Sequence, residues 1–137
     1  MPPDEERILV AGDADVVTAR SRAKELSGAI GFSRTDQTVI AAAVSEVARN
    51  IVVYAGQGEI VPRAHRGNGR WGLLVVARDE GPGIADTEEA LTYGYSTTGS
   101  LGVGLPGARR LMDSLEIESE VGRGTKVTML KWTDGRA

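Results

Sequence analysis

Cysteine is absent from these 137 residues, which removes disulfide frameworks, thiolate zinc sites and cysteine nucleophiles. Its absence is compatible with a reducing compartment. No apolar run approaches the roughly 20 residues that a membrane-spanning helix needs. The first six residues, Met1-Pro-Pro-Asp-Glu-Glu6, are acidic where a secretory leader is basic. A soluble, cytoplasmic chain with no membrane partner is the expectation. An excess of positive charge is missing too: 16 Lys and Arg against 19 Asp and Glu leave a net charge of −3 and a pI near 5.2. The field that draws a protein onto phosphate backbones is therefore lacking, and nucleic acid is not an expected partner. Histidine occurs once, at His65, in a segment that reads as an exposed strand, so it is expected as a solitary surface residue. No G-x-x-x-x-G-K-[ST] sequence occurs, which excludes a standard P-loop.

What is present fits one folded domain spanning residues 1–137. Hydrophobic residues make up 41% and charged residues 26%, far from the signature of disorder. Glycine is in excess, with 18 of 137 residues against a typical usage of about 7%. Much of that excess is clustered, at Gly81, Gly83, Gly94, Gly99, Gly102, Gly104 and Gly107. Such clustering suits loops whose backbone approaches a neighbour closely or takes positive φ.

Arg7 to Ala11 reads as a short strand, followed by Gly12 and by Asp13 or Asp15 as a cap. Val16, Ala19, Ala23, Leu26 and Ile30 then recur at helical spacing up to Gly31. A second helix opens at Ser33 or Thr35, where Ser33-x-x-Asp36 resembles a capping box. Its apolar stripe is Ile40, Val44, Val47, Ile51 and Tyr54, and Gly56 ends it. Glu59 to Arg66 and Trp71 to Asp79 read as strands joined across Asn68-Gly69, a pair suited to a type I′ turn. A third helix is expected from about Gly104 to Leu115 with Pro106 in its first turn. A last hairpin runs from Leu115 through Gly122-Arg-Gly124 to Trp132. This order predicts an α/β protein of α+β two-layer type, a mixed, mainly antiparallel sheet with helices on one face.

Four pieces carry chemistry. Glu46 and Asn50, four apart on the second helix, project within about 40° of each other and can face one ligand. Asp79-Glu-Gly-Pro-Gly-Ile84 lies where a hydrophobic strand runs out. There Gly81 and Gly83 let backbone approach a flat ligand, and Asp79 offers an acceptor to an exocyclic amine such as that of adenine. Ser96 to Leu105 places hydroxyls, glycines and helix N-terminal amides together, a lid and cradle for phosphate oxygens. Gly122-Arg-Gly-Thr125 is most simply a hairpin turn. Gly102-x-Gly104-x-x-Gly107 formally matches a dinucleotide fingerprint, but the polar segment before it is not the hydrophobic strand that fingerprint requires.

In order and spacing these pieces resemble the boxes of the GHKL ATPase superfamily over nearly the whole chain. Glu46-x-x-x-Asn50 matches the N box, Asp79-x-Gly-x-Gly83 the first glycine box, Gly102-Val-Gly-Leu105 the second and Gly122-x-Gly-Thr125 the third. Ser45 to Ile51, Tyr54-Ala-Gly56 and Gly102 to Asp113 look similar to the bacterial anti-sigma serine/threonine kinases, in particular the RsbT-like stressosome switch kinases. The resemblance implies a Bergerat-type ATP-binding fold and use of ATP with Mg²⁺. It makes Asn50 the metal ligand and Glu46 the general base. Asp79, Gly81, Gly83, Ile84 and Thr125 would lie around adenine, and Thr97, Thr98, Gly99, Gly102, Val103, Gly104 and Leu105 around the phosphates. It further implies STAS-domain protein substrates, a phosphatase or sigma-regulatory partner and a possible homodimer. No histidine precedes the second helix, which argues against histidine autophosphorylation, and the stand-alone size suits the protein-kinase branch. An ATP-gated binding module without phosphotransfer is the alternative, and Glu46 separates the two, since a pure switch needs no base there.

Overall fold

The computed structural model describes residues 6–81 and 104–136. The first strand, β1 (Ile8–Val10), leads into α1 (Asp13–Ile30). Gly12 stands at the N-cap without a side chain to offer, and it is Asp15 that reaches back, its Oδ2 accepting from the Ala11 N–H at 2.9 Å. The helix stops at Gly31, whose φ of 118° is the left-handed region that favours glycine. The N–H groups of Gly31 and Phe32 return to the carbonyls of Gly28 and Ser27, a Schellman closure that tucks Phe32 into the core.

Helix α2 (Arg34–Tyr54) starts one residue later than its cap, Ser33, whose Oγ accepts from the Asp36 N–H at 3.1 Å. Its expected stripe is buried at Ile40, Val44, Val47 and Ile51, while Tyr54 is half-exposed. Strands β2 (Gly58–Gly67) and β3 (Arg70–Asp79) turn through Asn68 and Gly69, with φ of 53° and 75°. Both central residues at positive φ make the type I′ turn that the Asn-Gly pair predicts.

Helix α3 (Gly104–Leu111) is shorter than expected and does not reach Leu115. The Asp113 N–H donates to the Leu130 carbonyl at 2.9 Å, and Asp113 Oδ2 accepts from the Trp132 N–H at 2.7 Å. These bonds draw the chain out of the helix and into β4 (Ser114–Glu120). Lys131 Nζ donates to the Leu111 carbonyl, a cation at the helix C-terminus. Strand β5 (Gly124–Arg136) continues four residues beyond the expected Trp132. Its extension pairs Arg136 with Arg70 past a register shift, and the Thr133 hydroxyl donates to the Trp71 carbonyl.

The sheet order is β1-β2-β3-β5-β4. All four strand pairs among the described residues are antiparallel, so the mixed sheet of the sequence reading becomes a purely antiparallel one there. Alternate residues Ile60, Leu73, Val75, Ala77, Val127 and Met129 join Ala19, Ala23, Val44 and Val47 in one core, and α3 packs on α2. That alternation puts all three described helices on one face, and no described helix covers the other. Among the described residues no helix is long and apolar enough to cross a membrane.

Leu73 is fully buried at the centre of this core. Leu73→Ala should lower unfolding free energy by about 2–5 kcal/mol, through lost burial plus the cavity left behind. Urea denaturation would check it, with the midpoint falling and the slope unchanged.

Candidate functional site

The site is built around the end of β3, where Asp79 lies between Gly58 of β2 and Thr125 of β5 in the sheet register. Three glycines allow backbone to close in on it. Gly124, at φ 100°, lies so near that a methyl group there would overlap the Asp79 carbonyl. One on Gly58 would meet the Arg78 carbonyl and Ile51, and one on Gly81 would overlap Ala55 at the end of α2. The turn after Asp79 is therefore pressed against the C-terminal end of the helix that carries Glu46 and Asn50.

Asp79 Oδ1 accepts from the Gly81 N–H at 2.9 Å, tightening that turn. Burial raises the Asp79 carboxyl above its ordinary value, and hydrogen bonds from the Gly81 and Thr125 backbone partly offset the shift. Next to it, the Thr125 and Ser119 hydroxyls lie 2.8 Å apart, and Ser119 Oγ donates to the Gly124 carbonyl. With its proton committed to Gly124, Ser119 receives the Thr125 proton, and Thr125 Oγ1 keeps its lone pairs as acceptors. The motif reading missed Ser119, although the alternation Leu115, Ile117, Ser119 along β4 places it on the helix-covered face.

An open cleft of about 930 Å³ surrounds this end of the sheet, lined among others by Ala55, Gln57, Asp79, Glu80, Ser119 and Thr125. Glu46 and Asn50 are not among its described lining residues. Both are half-buried on α2. At 1.5 Å per residue they stand about 13 and 7 Å up the helix axis from Ala55. Glu46 Oε1 is 3.1 Å from the guanidinium of Arg49, an ion pair that the sequence reading did not include. Asn50 makes no side-chain hydrogen bond among the described residues, so its amide oxygen is available to a ligand. No cluster of three or more His, Cys, Asp or Glu exists there to hold a metal unaided.

The remaining expected site residues divide in two. Gly104 opens α3 and Leu105 is buried in the core beneath it. Gly83, Ile84, Thr97, Thr98, Gly99, Gly102 and Val103 lie outside the described residues. His65 is not solitary but half-buried, its ring 5.5 Å from that of Trp132.

Residues 9–131 match the model of the histidine kinase-like ATPase domain. The chain belongs to that family. It is RsbT-like within it. Serine/threonine-protein kinase RsbT of Bacillus subtilis is 40% identical over 129 residues, covering 94% of this chain and 97% of that one. At that likeness over nearly its whole length, this histidine kinase-like ATPase is an enzyme of the serine/threonine-kinase, ATP-using class. An anti-sigma F factor of Caldanaerobacter subterraneus is 35% identical over 99 residues, 68% of each chain. Among solved structures, the mycobacterial sensor histidine kinase MprB aligns over 93% of this chain with a TM-score of 0.57 at 15% identity. That likeness shows the fold.

Because the folded-state pKa of Asp79 is raised, the folded protein holds this proton to higher pH than the unfolded chain. Stability from this group is fullest at low pH and is lost as pH rises through the raised value, so the ionised carboxylate costs stability at neutral pH. Asp79→Asn should therefore leave the melting temperature of the nucleotide-free protein unchanged or higher at pH 7. The advantage should shrink as pH falls toward 3.8, the ordinary value. Calorimetry should find ATP affinity weakened in the same variant, and a variant that binds ATP as tightly as the parent would remove Asp79 from the site.

Proposed function

We propose that residues 1–137 act as one cytoplasmic domain that transfers a phosphoryl group from Mg-ATP to a serine or threonine of a STAS-domain antagonist or scaffold protein. In this reading the chain works in a bacterial stress-response partner-switching pathway and then binds and activates a phosphatase. The observation that carries the chemistry is the placement of Glu46 and Asn50 on one side of α2, above the point where Gly81 packs against that helix.

Bound Mg-ATP supplies the phosphoryl group and the metal that neutralises charge developing on it. Asn50 fits the metal through its unpartnered amide oxygen. One protein oxygen, with phosphates and water completing the shell, is how Mg²⁺ is commonly held. Asp79 accepts from the adenine amine, Thr125 assists through its acceptor lone pairs or a water, and Gly83 and Ile84 back the ring. Thr97, Thr98, Gly99, Gly102, Val103 and Gly104 would offer amides and hydroxyls to the phosphates, beside Leu105, which is itself buried in the core. Glu46 would take the proton from the acceptor hydroxyl as its oxygen bonds to the γ-phosphorus, the bond from that phosphorus to the bridging oxygen breaks and ADP leaves. Arg49, 3.1 Å away, orients that carboxylate from the solvent side.

A second reading draws on the same ion pair. If Arg49 holds Glu46 out of the reaction, the domain is an ATP-gated binding module, in keeping with the anti-sigma F factors among its relatives. Glu46→Gln separates the two. For the kinase, transfer of label from ATP to a STAS-domain protein should fall by ~10²–10⁴-fold, the span typical of a general base. ATP affinity should stay within about twofold. Equal loss of binding and transfer would contradict the base assignment, and a parent protein that labels no serine or threonine would favour the module.

A further inference from the structure

The hairpin tip at the far end of the sheet carries a basic aromatic surface that the nucleotide chemistry does not use. Between Glu59 and Asp79 the sequence contains no acid, and of its basic residues His65, Arg66 and Arg70 lie at this tip, while Arg78 lies opposite Glu59 in the register at the other end of the hairpin. Strand pairing brings both tryptophans to this tip: Trp71 opposite Arg66, and Trp132 of β5 opposite Gly72. A methyl group on either Gly67 or Gly72 would come within 3.0 Å of the Trp132 ring, so the indole lies across two glycines. The Arg70 guanidinium sits 5.0 Å from the centre of that ring, and the His65 ring lies 5.5 Å away. On the opposite face of the hairpin, Arg66 sits 5.5 Å over Trp71, which is 36% exposed.

Both arginines are exposed, and neither has an ion-pair partner among the described residues. Asp134, the exposed acid nearby on β5, pairs with neither. Stacking on an indole limits the freedom of a guanidinium while leaving its N–H edge directed at solvent, a fork that fits a carboxylate bidentately. Exposed Trp and Arg together are the composition of interface anchors.

We infer that this tip is a docking site for an acidic, extended segment of a partner protein that passes around the end of the hairpin, held by Arg70 over Trp132 on one face and by Arg66 over Trp71 on the other. Nucleic acid is the poorer match. The chain is acidic as a whole, and Arg66 and Arg70 lie on opposite faces of one hairpin end instead of forming a stripe that follows a phosphate backbone. Asp79 lies at the other end of β3, nine residue steps or about 30 Å from Arg70, so an occupied tip leaves the nucleotide cleft open. The inference stands independently of the kinase reading.

The two tryptophans at the tip are the only two in the chain, so intrinsic fluorescence reads this surface alone. A short glutamate-rich peptide titrated into the whole protein should shift tryptophan emission saturably, with affinity falling as salt is added. The Arg66→Glu, Arg70→Glu double variant should bind it at least about tenfold more weakly, the scale of losing one charge-assisted contact. Its melting temperature and ATP affinity should match the parent's. Should the double variant fold poorly, Arg70→Lys keeps the charge but not the planar fork, and should bind the peptide more weakly than the parent. A parent protein that does not respond to the peptide, or variants that bind it as tightly as the parent, would overturn the proposal. So would duplex DNA binding the tip as tightly as the peptide, which would make the surface a nucleic-acid site.

Discussion

Around Asp79 three segments distant in sequence come within van der Waals contact: the turn at Gly81, the start of β5 at Gly124, and the end of α2 at Ala55. Close approach of backbone to backbone removes water from a carboxylate whose only described hydrogen-bond donors are two backbone N–H groups. No cation stands within salt-bridge distance of it among the described residues. Desolvation therefore outweighs the hydrogen bonds, and the carboxyl is raised. A group in this position has acceptor capacity that the fold only partly uses. A donor arriving with a ligand recovers part of what burial took away, which couples the local cost of the site to its affinity.

Helix α2 carries the two residues proposed to act beside that turn. Its buried face, from Ile40 through Val44 and Val47 to Ile51, is locked into the core by both the sheet and α3. Glu46 and Asn50 flank that face, so packing that contributes stability also sets their positions relative to the Asp79 turn. Sites placed on such rigid elements hold their geometry better than sites on loops. The Arg49 pair adds orientation more than stability, because an exposed ion pair three residues apart on a helix is worth only about 0.3–0.5 kcal/mol.

Local features were legible in the sequence wherever short-range physics decides them. Ser33 and Gly31 mark helix boundaries through their own backbone and side-chain preferences, and Asn68-Gly69 imposes its turn on the two strands beside it. Asp79 was recognisable because a hydrophobic run ends there. What could not be read depends on contacts between remote residues. The end of α3 is set by Leu130 and Trp132, nearly twenty residues away, with no glycine or proline to announce it. The partnership of Ser119 with Thr125 needs the β4–β5 register. Trp71 and Trp132 lie 61 positions apart in the sequence, and only the insertion of β5 between β3 and β4 brings them to one hairpin.

Strand β3 joins the two proposed sites, with Asp79 at one end and Arg70 and Trp71 at the other. Paired on both sides along most of its length, it holds them a fixed distance apart, and neither end can close on the other. On the proposed kinase reading, a partner gripped at the hairpin would reach the nucleotide end of the sheet only if its acceptor hydroxyl were connected by enough chain to cover the gap. At about 3.3–3.6 Å per extended residue, roughly ten residues are needed for some 30 Å. Shorter spacings leave the acceptor out of reach, and much longer flexible ones lower its effective concentration at the site. On both proposals the rigid sheet would act as a ruler, favouring partners whose acidic segment and acceptor are separated by that span.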